Sequence, residues 1–213
     1  IRLHMIINKN TLIYILRQIK YLNRCTNSSN TLFWIFIDDE NINRMEKEIT
    51  NFSSNSKLGL IIRGKDKQNI YKRAKNIGKI CKRKRMPYYV STYPNIALSS
   101  GAVGVHYPNN IKFSKKYKNL QTSCSFHGLN EIRRVKNFSA NRVFISPIFK
   151  TSSFTKKKPL GLKLLNVYLN HLDCERAVLG GIGLKNIRCL RNRNISSIGG
   201  ISLFFKTYDK KAC

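Results

Sequence analysis

The sequence predicts an α/β fold: a single (β/α)8 barrel over residues 31–213, preceded by a helical extension over residues 1–30. Three observations lead there. Eight short apolar runs, rich in Val and Ile, recur along the chain, as strands buried on both faces of a parallel sheet do. Helical spacing falls between most of them. Residues with chemistry to offer stand at nearly every run's end, and in a closed barrel those ends meet at one mouth. An open doubly wound sheet is the competing architecture, but no GxGxxG follows the first run.

In chain order, Leu12, Ile15, Leu16, Ile19 and Leu22 share one face of an amphipathic helix. It reads as a cap on the bottom of the domain rather than a membrane anchor. The stretch Ile6–Leu16 is broken by Asn8, Lys9 and Asn10, so it is too short and polar to span a bilayer, and it lacks an export cleavage signature. Strand one is Leu32–Ile37, ended by Asp38-Asp39-Glu40 and followed by a helix through Ile49. Strand two is Leu58–Ile62, ended by Arg63-Gly64-Lys65; Ile70, Ala74, Ile77 and Cys81 mark the next helix. Strand three is Tyr88–Val90, and the helix Pro94–Ser99 begins on a proline, which the first turn tolerates. Strand four is Ala102–His106, and the polar segment Ile111–Asn119 is assigned as its helix. Strand five is Leu120–Ser125; its helix starts near His127 and carries Leu129, Ile132, Val135 and Phe138. Strands six, seven and eight are Val143–Ser146, Ala177–Leu179 and Ser196–Ile198.

A chain of 213 residues suits one domain and fits an eightfold barrel with lean loops. Forty Lys and Arg against 10 Asp and Glu give a formal charge of +30, which points to polyanions, anionic surfaces or acidic metabolites. Abundant Asn and Ile make compositional drift an equal explanation. The basic residues are spread out, with short runs at Lys82–Arg85, Lys115–Lys118 and Lys156–Lys158, and no recognisable nucleic-acid-binding motif accompanies them. A nucleic-acid partner is therefore not expected, nor a membrane one. Six cysteines without a CxxC pair speak against a zinc knuckle and for a reducing, cytoplasmic setting. Cys124 reads as a small buried hydrophobe ahead of a nucleophile.

Strands seven and eight run into Gly180-Gly181 and Gly199-Gly200. Paired glycines let backbone N–H groups approach an anion closely, although tight strand-to-helix turns use them equally. A phosphate-bearing small molecule is the first ligand to consider. His106 ends strand four and His127 starts helix five; each is an acid or base at neutral pH, or a cap.

Taken in order, SGAVGVHYP, TSCSFHGLNEI, RVFISPIFKTSSFTKKKPLGLKLL, AVLGGIGLKNI and SSIGGIS resemble the thiamine phosphate synthase and TenI superfamily, from about Leu32 to Phe205. The resemblance implies a TIM barrel that works on small phosphorylated heterocycles, with a homo-oligomer as one possible state. The family's synthase uses magnesium to expel pyrophosphate from hydroxymethylpyrimidine diphosphate, and a thiazole phosphate then attacks. Departing pyrophosphate needs cations and N–H donors. By resemblance, Arg63 and Lys65 match the Arg-x-Lys that grips the diphosphate, together with Ser125. Thr151, Ser153, Gly180, Gly181, Gly199, Gly200 and Ser202 match the segments that hold the thiazole phosphate.

The chain also departs from the family pattern. The metal-binding Asn-Asp falls on Ser91-Thr92, and the second metal-binding acid falls near Ile111, behind Asn109 and Asn110. Magnesium would meet neither carboxylate there. The synthase loop lysine falls on Phe154, with Lys156–Lys158 close by, and the tautomerase histidine falls on Pro147. Asp38 and Asp39 then read as helix caps, with a displaced metal site as the alternative. The resemblance thus implies either a synthase-type transferase or a non-catalytic or altered barrel that binds a heterocyclic phosphate.

Overall fold

Eight parallel strands close on themselves in the computed structural model, which describes residues 9–20, 32–54, 57–112, 115–151 and 158–200. They are β1 (Phe33–Ile37), β2 (Leu58–Ile62), β3 (Tyr88–Ser91), β4 (Gly104–Tyr107), β5 (Gln121–Phe126), β6 (Arg142–Ile145), β7 (Glu175–Leu179) and β8 (Ser197–Gly200). Each pairs with the next, and β8 returns to β1 through Phe33↔Ile198. The predicted (β/α)8 barrel is the observed fold, and each strand lies within two residues of its expected bounds.

The helices are α1 (Lys9–Lys20), α2 (Ile42–Asn51), α3 (Lys67–Lys84), α4 (Pro94–Ser100), α5 (Ile132–Asn137) and α6 (Gly161–Leu169), with 3-10 turns at Leu129–Glu131 and Ile187–Leu190. The helix assigned to Ile111–Asn119 is not formed among the described residues, which are loop and turn there. Its two core-packed residues, Ile111 and Tyr117, are six apart and do not share a helical face. Helix α1 buries Ile15 and meets the second 3-10 turn through Arg188 to the Tyr14 hydroxyl (2.9 Å), while Arg191 next to that turn reaches the Gln18 side chain. The predicted boundary near residue 30, and Leu22, lie outside the described residues. No described helix is long and apolar enough to cross a membrane.

Period-two alternation sorts the side chains. Phe33, Ile35 and Ile37 of β1 face the surrounding helices, whereas Trp34 and Phe36 enter the barrel. There they join Ile61, Tyr89, Phe144 and Ala177. Edge-to-face contacts fix the rings, with centroids 5.2 Å apart for both Trp34–Tyr89 and Phe36–Phe144. Gly104 makes room for Tyr89: a Cβ there would lie 2.4 Å from its ring. Near the strands' N-terminal ends the interior turns polar. Arg142 lies over the Trp34 ring at 4.4 Å, donates to the Tyr89 hydroxyl at 2.9 Å and pairs with Glu175. Tyr89 in turn donates to Gln121 Oε1 at 2.6 Å. This floor and the aromatic layer close the barrel below and leave its upper end open.

Candidate functional site at the barrel mouth

The strand ends surround a cavity of about 280 Å³. Its lining includes Phe36 from β1, Arg63 after β2, Ser91 from β3, His106 from β4, Ser125 from β5 and Ser146 after β6. Gly180 and Gly181 follow β7, and Gly199 and Gly200 end β8. Pro108, Asn109, His127, Pro147, Thr151, Leu179 and Ile182 complete it. Nine of the residues singled out from the sequence are therefore brought together: Arg63, His106, Ser125, His127, Thr151 and the four glycines. Lys65 is not among them. Its side chain is exposed and its amide donates to Asp39 Oδ2 at 3.1 Å. Ser153, Phe154, Lys156 and Ser202 lie outside the described residues.

Arg63 is oriented from two sides. Its Nη2 donates to Asp38 Oδ2 at 2.9 Å, and its guanidinium lies over the Phe36 ring at 5.5 Å. Asp39 pairs with Arg73, whose guanidinium holds the Asp39 carboxyl below its ordinary range, helped by the Lys65 amide. The capping expected of this acidic pair is thus only partly met. The N-cap of α2 is Asn41, and Asp38 accepts the Asn41 amide at 3.3 Å while spending its other oxygen on Arg63.

His106 sits deepest and is buried between Phe36 and Phe144. Its Nδ1 meets Ser123 Oγ at 2.9 Å and its Nε2 meets Ser125 Oγ at 3.3 Å. Burial pushes its pKa down to about 3, with Arg63 and Arg134 adding repulsion. Desolvation thus favours the neutral ring, whose two nitrogens hold two serine hydroxyls. His127 lies nearer solvent. Its Nδ1 is 2.7 Å from the Ser146 carbonyl, which only accepts, so that nitrogen carries the proton and Nε2 is the acceptor of the neutral ring.

Gly180 and Gly181 have φ of +95° and +68°. A Cβ on Gly181 would lie 2.4 Å from the Lys150 carbonyl, so the pair lets the loop after β6 cross closely. Phe149 donates to the Gly180 carbonyl at 2.9 Å, which fixes the loop carrying Thr151. Gly199 and Gly200 are strand residues rather than a turn.

Sequence reasoning missed Ser123 and Arg134. Ser123 had a signal: it is two residues before Ser125 on one strand and shares its face. Arg134 had none. From α5 it reaches the carbonyls of Ser125, Pro108 (3.2 Å) and Ile111 (3.4 Å) and the Glu131 carboxylate (2.8 Å), tying the loop after β4 to β5. Cys124 is buried and its thiol is pushed up to about 12 by desolvation, as suits an inert core residue.

The model of the thiamine monophosphate synthase family matches residues 38–204, from the first acid after β1 through β8. The chain belongs to that family. Over 146 residues it is 30% identical to the "Putative thiamine-phosphate synthase 2" of Aquifex aeolicus, covering 67% of this chain and 78% of that protein. It is 28% identical over 153 residues to the thiamine-phosphate synthase of Prochlorococcus marinus subsp. pastoris, covering 70% of this chain and 43% of that one. Among solved structures, the thiamine phosphate pyrophosphorylase of Pyrococcus furiosus overlays with a TM-score of 0.63 at 15% identity, covering 81% of this chain and 86% of that one. A tryptophan synthase complex of the same organism reaches 0.59 at 11% identity over 83% of this chain and 88% of that chain. These overlays speak for the barrel alone.

The family's magnesium finds a poor fit in this cavity. Among the described residues its lining holds no Asp or Glu, and no three His, Cys, Asp or Glu gather as ligands. At the positions the resemblance assigns to the metal stand Ser91 and Thr92, with hydroxyls 3.3 Å apart, and the Ile111 region, of which Asn109 lines the cavity. Asp38, the carboxylate nearest in sequence to the lining residue Phe36, is spent on Arg63. Hydroxyls and amides without carboxylates offset little of a divalent charge.

Proposed function

We propose that this member of the thiamine monophosphate synthase family binds the phosphate monoester of a heterocycle, a thiazole phosphate or thiamine phosphate, in the mouth of its barrel. One observation carries the reading: a guanidinium, several hydroxyls and two Gly-Gly segments line one cavity with no carboxylate among its described lining residues. Charge-assisted donors of this kind suit phosphate oxygens. Phe36, Pro108, Pro147, Leu179 and Ile182 supply apolar walls for a ring.

Family membership, with Arg63 and Ser125 in the cavity, favours a second reading. The barrel would then join hydroxymethylpyrimidine diphosphate to thiazole phosphate and release pyrophosphate. That reaction asks the site to stabilise the departing charge without carboxylate-held magnesium.

Calorimetry tests the first reading. Thiazole phosphate or thiamine phosphate should bind, and EDTA should leave the affinity unchanged. No heat with either ligand overturns it. Pyrophosphate released from the two substrates only when magnesium is present would establish the second reading in its place.

A further inference from the structure

Helix α3 carries Lys67, Lys72, Arg73, Lys75, Lys79, Lys82, Arg83 and Lys84, and no acid. Folding sorts them. Arg73 turns to Asp39. Lys72, Lys75, Lys79 and Lys82 stay exposed at a spacing of three, four and three residues, which is one helical face. Arg83 joins the same face, and with Asn76, Lys79, Ile80 and Lys82 it lines an open surface groove. Among the described residues, none of these four lysines has an ion pair or hydrogen bond. Neighbouring α4 contributes no charged residue.

The row is about 15 Å long at about 1.5 Å per residue. Like charges three and four apart on a helix repel one another, so this face destabilises its own helix unless a polyanion lies along it. The row also runs away from the mouth, because α3 starts after β2 and descends to β3. It therefore does not serve to guide small anions into the cavity.

We infer that this face of α3 binds the phosphate backbone of nucleic acid. An exposed Tyr71, 47% accessible, stands on the same face one turn before Lys75 and supplies a stacking ring. The fold thus sets an aromatic ring beside the lysines of this face. A lipid surface would call for several large apolar side chains on the face, and Tyr71 is the only exposed large one among the described residues of α3.

The test is fluorescence anisotropy with a labelled oligouridine from about 50 to about 200 mM salt. The wild type should bind with a steep salt dependence. The variant Lys72→Gln/Lys75→Gln/Lys79→Gln/Lys82→Gln should lose about 0.7 in log–log slope per lysine, close to 3 in all. A second variant, Lys112→Gln/Lys116→Gln/Lys118→Gln/Lys136→Gln, removes the same charge from other exposed positions and should keep the wild-type slope. Equal losses in the two variants would mean that overall charge, not this face, binds, and would overturn the proposal. So would absence of binding at the lowest salt, or capture of phosphatidylserine vesicles without capture of oligouridine.

Discussion

Thr92 has φ +71°, a left-handed conformation that β-branched residues avoid. The fold imposes it: the Thr92 amide donates to the His106 carbonyl at 2.9 Å, and the Tyr93 amide to the Ser91 carbonyl at 2.8 Å. The conformation costs an L-residue roughly 1–2 kcal/mol, and asparagine tolerates it far better. Thr92→Asn should recover about 1 kcal/mol of that strain. It gives up a hydroxyl contact to Ser91 at 3.3 Å, which is a weak bond. In a domain of this size a gain of about 1 kcal/mol raises the melting temperature by roughly 2–4 °C. Thr92→Val keeps the branching, loses the hydroxyl and should gain nothing. Differential scanning calorimetry of the three proteins checks the reasoning. An asparagine variant that melts no higher than the valine variant would refute it.

Two further predictions concern His106 in the cavity wall and the Arg134 clamp behind it. His106 has a folded pKa of about 3, below its unfolded value of about 6.5, so protonation favours the unfolded chain. Stability should fall by up to about 1.4 kcal/mol per pH unit as pH drops from about 6.5 toward 3, and His106→Gln should lack that slope in urea titrations; parallel acid profiles would contradict the assignment. Arg134→Met strands three carbonyls and a carboxylate. It should cost about 3 kcal/mol in urea unfolding, with Arg134→Lys recovering only part, since an ammonium lacks the fork; a loss under about 1 kcal/mol would show that the clamp is not needed.

The barrel was legible because β/α alternation is a local pattern. Runs such as Leu58–Ile62 need both faces covered, and each is bounded by residues that stop a strand. The cavity was legible wherever the strand end itself carries the residue, as at Arg63, His106 and Ser125. It was not legible where a side chain works through distant partners. Arg134 joins a loop 23 to 26 residues earlier in the chain, and the acceptors are backbone carbonyls without residue identity. The Ile111–Asn119 helix failed for a related reason. A basic, polar stretch between strands has the length of a helix, but Ile111 and Tyr117 reach the core separately, and that packing wins over spacing. Lys65 shows the limit of a motif: in Arg-Gly-Lys the two cations are two residues apart, yet Arg63 enters the mouth and Lys65 stays in solvent.

The charge balance of the mouth bears on which phosphate it suits. Among the described lining residues Arg63 is the permanent cation, and it shares one nitrogen with Asp38. That pair is partly exposed, with the arginine side chain 42% accessible, so it contributes no more than about 1 kcal/mol and does not lock the guanidinium away from a ligand. An arginine has five N–H donors, so with one spent on Asp38 its remaining donors match a single phosphate. A phosphate monoester carries about −1.5 to −2 charge near neutrality. A diphosphate carries more and adds to it as it departs, which is why such sites recruit metal ions. With neither carboxylates to hold the metal nor a second arginine in the described lining, the smaller charge is the better match on the proposed reading. The monoester reading therefore rests on what the mouth can neutralise as well as on its two Gly-Gly segments.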